Sequence, residues 1–159
     1  MRDDELTEAV RLRAAGSLDE ARELLLGLAA RHPADAEIAY QTGWVHDALG
    51  LEAEAVPFYE RALDGADLAS ADRLGAFTKL GSTLRVLGRH DEALEVFRRG
   101  LAEFPGDQGL RTFMAMALYN AGQSREAVGT LLKVLAETDA AGGYRRAIAY
   151  YADHLDEIV

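Results

Sequence analysis

The chain has 159 residues, 49% of them hydrophobic, with fifteen glycines, three prolines, no cysteine and a formal charge of −10 from 17 basic and 27 acidic side chains. That size and apolar fraction suffice for one domain with its own core and exclude global disorder, and without cysteine there is no disulfide framework, thiolate metal cage or sulfur nucleophile. The longest apolar runs, such as Phe113 to Tyr119, fall far short of the ~20 residues a membrane-spanning helix needs, and the acidic start at Asp3, Asp4 and Glu5 has no apolar core of a signal peptide, so a cytoplasmic location is expected. The negative charge repels phosphate backbones and anionic lipid surfaces, so neither nucleic acid nor membrane is an expected partner.

Internal repetition is the dominant signal. A glycine followed, after three residues, by Glu-Ala occurs four times: Gly16 with Glu20 and Ala21, Gly50 with Glu54 and Ala55, Gly88 with Glu92 and Ala93, and Gly122 with Glu126 and Ala127. The glycines stand 34, 38 and 34 residues apart, a period that fits two helices and two short connections.

Each repeat reads as a helical hairpin. The glycine closes one helix in the left-handed conformation that a Cβ disfavours, and the Glu then meets the positive end of the next helix dipole. In the first repeat, about residues 2–35, Ser17 and Glu20 have the spacing of a capping box. Pro33 ends its second helix. The second repeat, about 36–66, carries a thin apolar stripe of Ala39, Thr42 and His46, and Pro57 inside its second helix predicts a local bend. The four extra residues fall between Asp64 and Ser70, where Ser70 is the expected N-cap of a lengthened helix in the third repeat, about 71–107, which Pro105 closes. After the fourth repeat, about 108–138, Gly142 and Gly143 break the chain. Tyr144, Ala147, Ile148, Tyr151, Leu155 and Ile158 then follow helical spacing, predicting an amphipathic helix over about 143–158 that covers the last hairpin. On the second helices, Leu25, Tyr59, Phe97 and Leu131 share one register position, and Leu28, Ala62, Gly100 and Val134 another, forming the expected core stripe.

The Gly-x-x-x-Glu-Ala motif, the large apolar residue four places after its Ala, and the terminal prolines resemble the tetratricopeptide repeat family over about residues 2–138. The stretch from Gly50 to Leu63 resembles a repeat of that family almost throughout. The reading is therefore an all-α, right-handed α-solenoid of four antiparallel helix-turn-helix repeats plus a C-terminal capping helix, as a single domain over residues 2–159. In that family one face of each first helix lines a concave groove that binds partner segments. The resemblance places Tyr40, Trp44, Thr112, Met116 and Tyr119 there as contacts, and Arg13, Lys79 and Arg85 as charged residues. Aromatic, Met and Arg side chains are those that interfaces prefer. Trp44 has a competing inward reading, in which it and Tyr40 fill the thin second-repeat core. Gly75 and Gly109 would let a ligand approach the helices closely. Chaperone-tail-binding members hold a peptide carboxylate with Lys and Asn; only Lys79 matches that pattern here.

No catalytic or metal constellation is visible. His32, His46, His90 and His154 are dispersed and lack a second histidine at i, i+3 or i, i+4, and His46 reads as a core histidine with a local hydrogen bond. Gly142 and Gly143 follow no predicted strand, so they make no phosphate cradle. No enzyme activity, metal or cofactor is expected. The functional reading is a non-catalytic scaffold that binds another protein or peptide in its groove. The alternative is a self-associating module, a homodimer built through the terminal helix with Tyr150 and Tyr151.

Overall fold

The computed structural model describes residues 1–157; Ile158, the expected end of the last apolar stripe, lies outside them. Four hairpins follow one another: α1 (Arg2–Ala14) with α2 (Leu18–Arg31), α3 (Ala36–Ala48) with α4 (Glu52–Asp64), α5 (Ser70–Val86) with α6 (His90–Glu103), and α7 (Gln108–Asn120) with α8 (Ser124–Ala136). A 3-10 turn, Asp139–Tyr144, then leads into α9 (Arg145–Asp153).

The turn inside each hairpin is the same device used four times. Gly16, Gly50, Gly88 and Gly122 have φ of 85°, 72°, 77° and 78°, the left-handed region where only glycine is unstrained. The Gly16 N–H donates to the Arg13 carbonyl and the Ser17 N–H reaches back to the Leu12 carbonyl, at 3.1 and 2.9 Å. The other three glycines repeat this pair of bonds. Such a turn satisfies carbonyls that the helix end would leave bare. It also decides how the next helix begins, because the residue after the glycine is at once the end of one helix and the start of another. Ser17 is the consequence: with ψ at 63° and its N–H already committed, its side chain caps nothing, and the expected capping box does not form.

Side-chain capping occurs instead between hairpins. Asp35 accepts from the Ile38 N–H at 3.0 Å and Asp107 from the Leu110 N–H at 2.8 Å, each two residues after a proline that terminates the preceding helix. The linker to α5 has no proline and its Asp67 stands too early to cap, so Ser70 is the first helical residue there, preceded by an uncapped Ala69. Pro57 lies on the exposed side of α4, which runs through it from Glu52 to Asp64.

Within each hairpin a small residue on the first helix faces a large one on the second, seven residues before the turn glycine and nine after it. The pairs are Ala9 with Leu25, Gly43 with Tyr59, Gly81 with Phe97, and Ala115 with Leu131. The match is graded, since the two aromatic rings stand opposite the two glycines. A Cβ on Gly43 would lie 2.8 Å from the Tyr59 ring, and one on Gly81 would overlap Phe97. Both rings are fully buried and have nowhere to move. Leu6, Ala9, Ala21, Leu25, Leu28, Ile38 and Val45 form one apolar cluster, and the remaining hairpins share a second.

Successive first helices touch, α1 to α3, α3 to α5 and α5 to α7, whereas successive second helices do not. The hairpins therefore stack as wedges. The stack curves, with α1, α3, α5 and α7 lining its inner wall and α2, α4, α6 and α8 its outer one.

The last helix departs from expectation. It is shorter than 143–158, and it packs on the outer side of α8, where a Cβ on Gly129 would lie 2.6 Å from the Ala152 carbonyl oxygen. Tyr144, Tyr150 and Tyr151 remain exposed. A backbone-to-backbone approach is open at Gly129 alone among the corresponding residues, which are Glu23, Pro57 and Glu95 in the other hairpins.

Two helix glycines should respond oppositely to alanine. Gly81→Ala meets the immobile Phe97 ring and should lose roughly 1–2 kcal/mol even after the gain in helix propensity. Gly27→Ala, with open space around it, should gain up to ~1 kcal/mol; thermal and urea unfolding compare them. Partial burial works against the Asp35 charge, but the Ile38 N–H and the Arg2 guanidinium outweigh it and hold its pKa below the ordinary 3.8. Asp35→Ala should accordingly cost about 1 kcal/mol at neutral pH. That difference should fade as pH falls through the depressed value, since both states then bind the proton. Stability measured against pH checks it.

Candidate functional site: the inner wall

The inner wall is built by side chains that reach from one first helix to the next. Arg13 on α1 donates to Gln41 Oε1 on α3 at 3.2 Å, and its guanidinium carbon lies 3.5 Å from the centre of the Trp44 ring. From α5, Lys79 Nζ sits 4.1 Å from the same ring. Arg85, further along α5, donates to Asn120 Oδ1 on α7 at 3.1 Å. These contacts give a cation-lined band from the first hairpin to the fourth, with Trp44 half-buried in it and resting on the core.

Asp47 fixes the middle of the band. It accepts from the Tyr59 hydroxyl at 2.8 Å, and the Thr83 hydroxyl lies 2.9 Å from both of its oxygens. Burial raises its pKa despite those donors. With Glu52, Thr78, Lys79, Ser82, Thr83, Val86 and Phe113, Asp47 lines a cleft of about 390 Å³. A larger cleft of about 640 Å³ lies between α8 and the segment after α9, but its Lys and Arg side chains are both paired, Lys133 to Asp153 at 2.6 Å and Arg125 to Asp156. The inner wall is the site with unpaired, half-buried cations.

Among the described residues nine basic side chains are held in ion pairs, among them Arg2 with Asp35 and Glu37, Arg73 with Glu103, and Arg111 with Glu137; of the others, Arg61, Arg98, Arg99 and Arg146 are exposed and Arg22 turns to His46. Arg13, Lys79 and Arg85 have no carboxylate within ion-pair distance among the described residues. All three are half-buried. The Nε atoms of Arg13 and Arg85 are buried and find no acceptor within the chain. Burial pushes the pKa of Arg13 and of Lys79 down, and the Arg13 charge pushes Lys79 the same way. The Asp47 charge works against this at Lys79, but its oxygens are taken by Tyr59 and Thr83. Half-desolvated cations without a partner are costly in a chain with acids to spare.

The other residues singled out from the sequence distribute differently. Tyr40 is no groove contact. It is buried, with its ring centre 5.7 Å from Trp44 and 6.3 Å from Tyr59, and burial pushes its hydroxyl pKa up to about 12. The reason is Gly75, whose missing Cβ leaves the space that the Tyr40 hydroxyl occupies. That glycine therefore admits a side chain of the chain itself, not a ligand. The hydroxyl of Thr112 is spent on its own helix, donating to the Gln108 carbonyl at 2.7 Å. Met116 and Tyr119 are exposed, but they line a separate apolar cleft with residues of α8, and Arg85 reaches its edge. His46 is buried, its Nδ1 2.7 Å from the Thr42 carbonyl and its ring stacked 5.2 Å from Phe58. Sequence reasoning passed over Gln41, Asp47 and Asn120 as site residues. Their polarity beside the large apolar side chains of the same wall was the available signal. Among the described residues no group of three His, Asp or Glu side chains could hold a metal ion, and no helix is long and apolar enough to cross a membrane.

Comparison with known proteins agrees with this architecture. Residues 36–155 match the model of the family described as Tetratrico peptide repeat. No curated protein matches the chain. Among solved structures, MamA of AMB-1 superposes with a TM-score of 0.75 at 24% identity, over 84% of this chain and 77% of that one. A second MamA crystal structure gives 0.74 at 19% identity, over 99% and 78%. YrrB, described as a TPR protein with an unusual peptide-binding site, gives 0.72 at 22% identity, over 96% and 77%. At such identities these likenesses establish the fold alone. Four hairpins closed by identical turns, and a family match that begins at α3 and runs into the segment beyond α9, have one conclusion: the chain belongs to the tetratricopeptide repeat family.

Proposed function

We propose that this chain is a non-catalytic scaffold whose inner wall holds an acidic segment of a partner protein. The observation that carries the reading is the row of Arg13, Lys79 and Arg85, half-buried and without carboxylate partners in a protein whose net charge is −10. A carboxylate placed there gains charge-assisted hydrogen bonds in a partly desolvated setting, where they are stronger than on an open surface. Trp44 adds a flat apolar surface between the charges, suited to an aliphatic or aromatic side chain of the same segment. The surrounding negative field repels an acidic segment elsewhere on the surface and leaves the wall as the favourable landing point. The peptide-binding description of YrrB, a protein of the same fold, is consistent with this use of the architecture.

Trp44 is the chain's sole tryptophan, so its fluorescence reports binding directly. The probe is a synthetic peptide of alternating Glu and aliphatic residues, compared with the same peptide carrying Gln for Glu. The acidic peptide should shift Trp44 emission and bind more tightly, with the affinity falling as salt rises. Lys79→Glu and Arg85→Glu should each weaken it roughly tenfold or more. Equal affinity for the Glu and Gln peptides, or an acidic-peptide affinity untouched by both substitutions, would refute the reading.

A further inference from the structure

The end of the stack formed by α7 and α8 exposes a face that the earlier hairpins bury. Six, nine and thirteen residues after the turn glycine, the second helices carry Val56, Tyr59 and Leu63 in the second hairpin, and Leu94, Phe97 and Leu101 in the third. These pack beneath the next first helix: Val56 is 4% and Leu94 2% exposed, and Tyr59 and Phe97 are fully buried. In the fourth hairpin the same positions are Val128, Leu131 and Leu135, and they are 45%, 42% and 38% exposed. Met116 and Tyr119 on α7 continue the face, whose cleft of about 400 Å³ has Arg85 and Asn120 as its polar lining and no carboxylate. The last helix does not cover it. It touches α8 and not α7, and it is fastened to the outer side of α8 by the close approach at Gly129 and by the Lys133 to Asp153 ion pair.

We propose that this face is an interface between two copies of the chain, joined tail to tail about a two-fold axis. The surface is already that of a repeat-to-repeat contact, since its register positions are the ones that bury against a neighbouring hairpin everywhere else in the stack. Which part of a second copy meets it follows from the opposite end. Where α3 presents Ile38, Thr42 and Val45 to the hairpin before it, α1 has Asp4, Glu8 and Arg11 at the corresponding positions. Docking α1 on Val128 and Leu131 would bury charges against an apolar surface, which is strongly disfavoured. A head-to-tail filament is thereby disfavoured, while two identical apolar faces satisfy each other and close the assembly at two. Each copy brings a charge of −10, so association works against a long-range repulsion that salt screens.

Sedimentation velocity on the intact chain, over a range of concentrations and salt, is the test. The expected result is a monomer–dimer equilibrium that tightens as salt rises and never extends to longer species. Leu131→Asp should weaken the dimer by at least tenfold, with unchanged circular dichroism because Leu131 is already exposed. Glu8→Lys on α1 and Tyr150→Ser on α9 should leave it intact. A monomer at all concentrations overturns the proposal, as do open-ended oligomers, loss of the dimer in Glu8→Lys or Tyr150→Ser, or a dimer that loosens with salt. The wild-type measurement stands on its own even if Leu131→Asp were to unfold. Peptide binding at the inner wall is read separately through Trp44, so failure of the dimer and failure of the groove reading are distinguishable.

Discussion

The stack depends on how closely two helices of one hairpin approach. That distance is set where Gly43 meets Tyr59 and Gly81 meets Phe97, with Ala9 against Leu25 and Ala115 against Leu131 as the roomier versions. Removing a side chain from one helix lets an aromatic ring from the other lie against bare backbone, and the pair buries more apolar area than two medium-sized residues would. Because the turn glycine fixes the register of the two helices, the small and large positions meet in every hairpin without further instruction. A hairpin built this way still has an apolar flank, and only a neighbouring hairpin covers it, so each repeat is stable through the next.

The inner wall follows from the same geometry. First helices that touch and second helices that do not make a wedge, and wedges stacked in one direction curve. Curvature crowds the side chains of α1, α3, α5 and α7 onto a narrow strip, where Arg13, Trp44 and Lys79 from three helices come within stacking distance. Crowding alone half-desolvates them. It also limits what the chain itself offers in return, since the half-buried Asp47 is consumed in tying α3 to α4 and α5. A cation strip without counter-charge is thus a product of packing, and the acidic segment proposed for the wall would relieve it by supplying carboxylates.

Much of this was legible in the sequence, because the features that repeat are local ones. The glycine at each turn, the Glu-Ala after it, and the prolines at 33 and 105 act within a few residues, and the hairpins appear where they indicate. What was not legible depends on contacts between residues far apart. Tyr40 has the spacing of a wall residue and is buried because Gly75, on a different helix, leaves room for its hydroxyl. Ser17 has the letters of a capping box but sits where the preceding turn has already claimed its backbone. The amphipathic pattern after Gly143 was visible, yet its direction was not. A single glycine at position 129 draws α9 to the outer side of α8, which leaves Tyr144 and Tyr151 facing solvent.

Arg85 shows how the two open surfaces relate. It lies on α5, with Lys79 six residues nearer the start of that helix, and it reaches Asn120 on α7 at the edge of the cleft lined by Met116, Tyr119 and Leu131. One surface is a strip of unpaired cations whose attraction for acids weakens in salt; the other is apolar, and salt removes the repulsion that opposes it. The two respond to ionic strength with opposite sign, so a partner segment long enough to run from Trp44 to Arg85 would arrive at the margin of the end face under conditions that favour the single chain. Under both proposals, occupation of the wall and pairing of the ends would bear on each other through one guanidinium, since Arg85 lies at the edge of both surfaces.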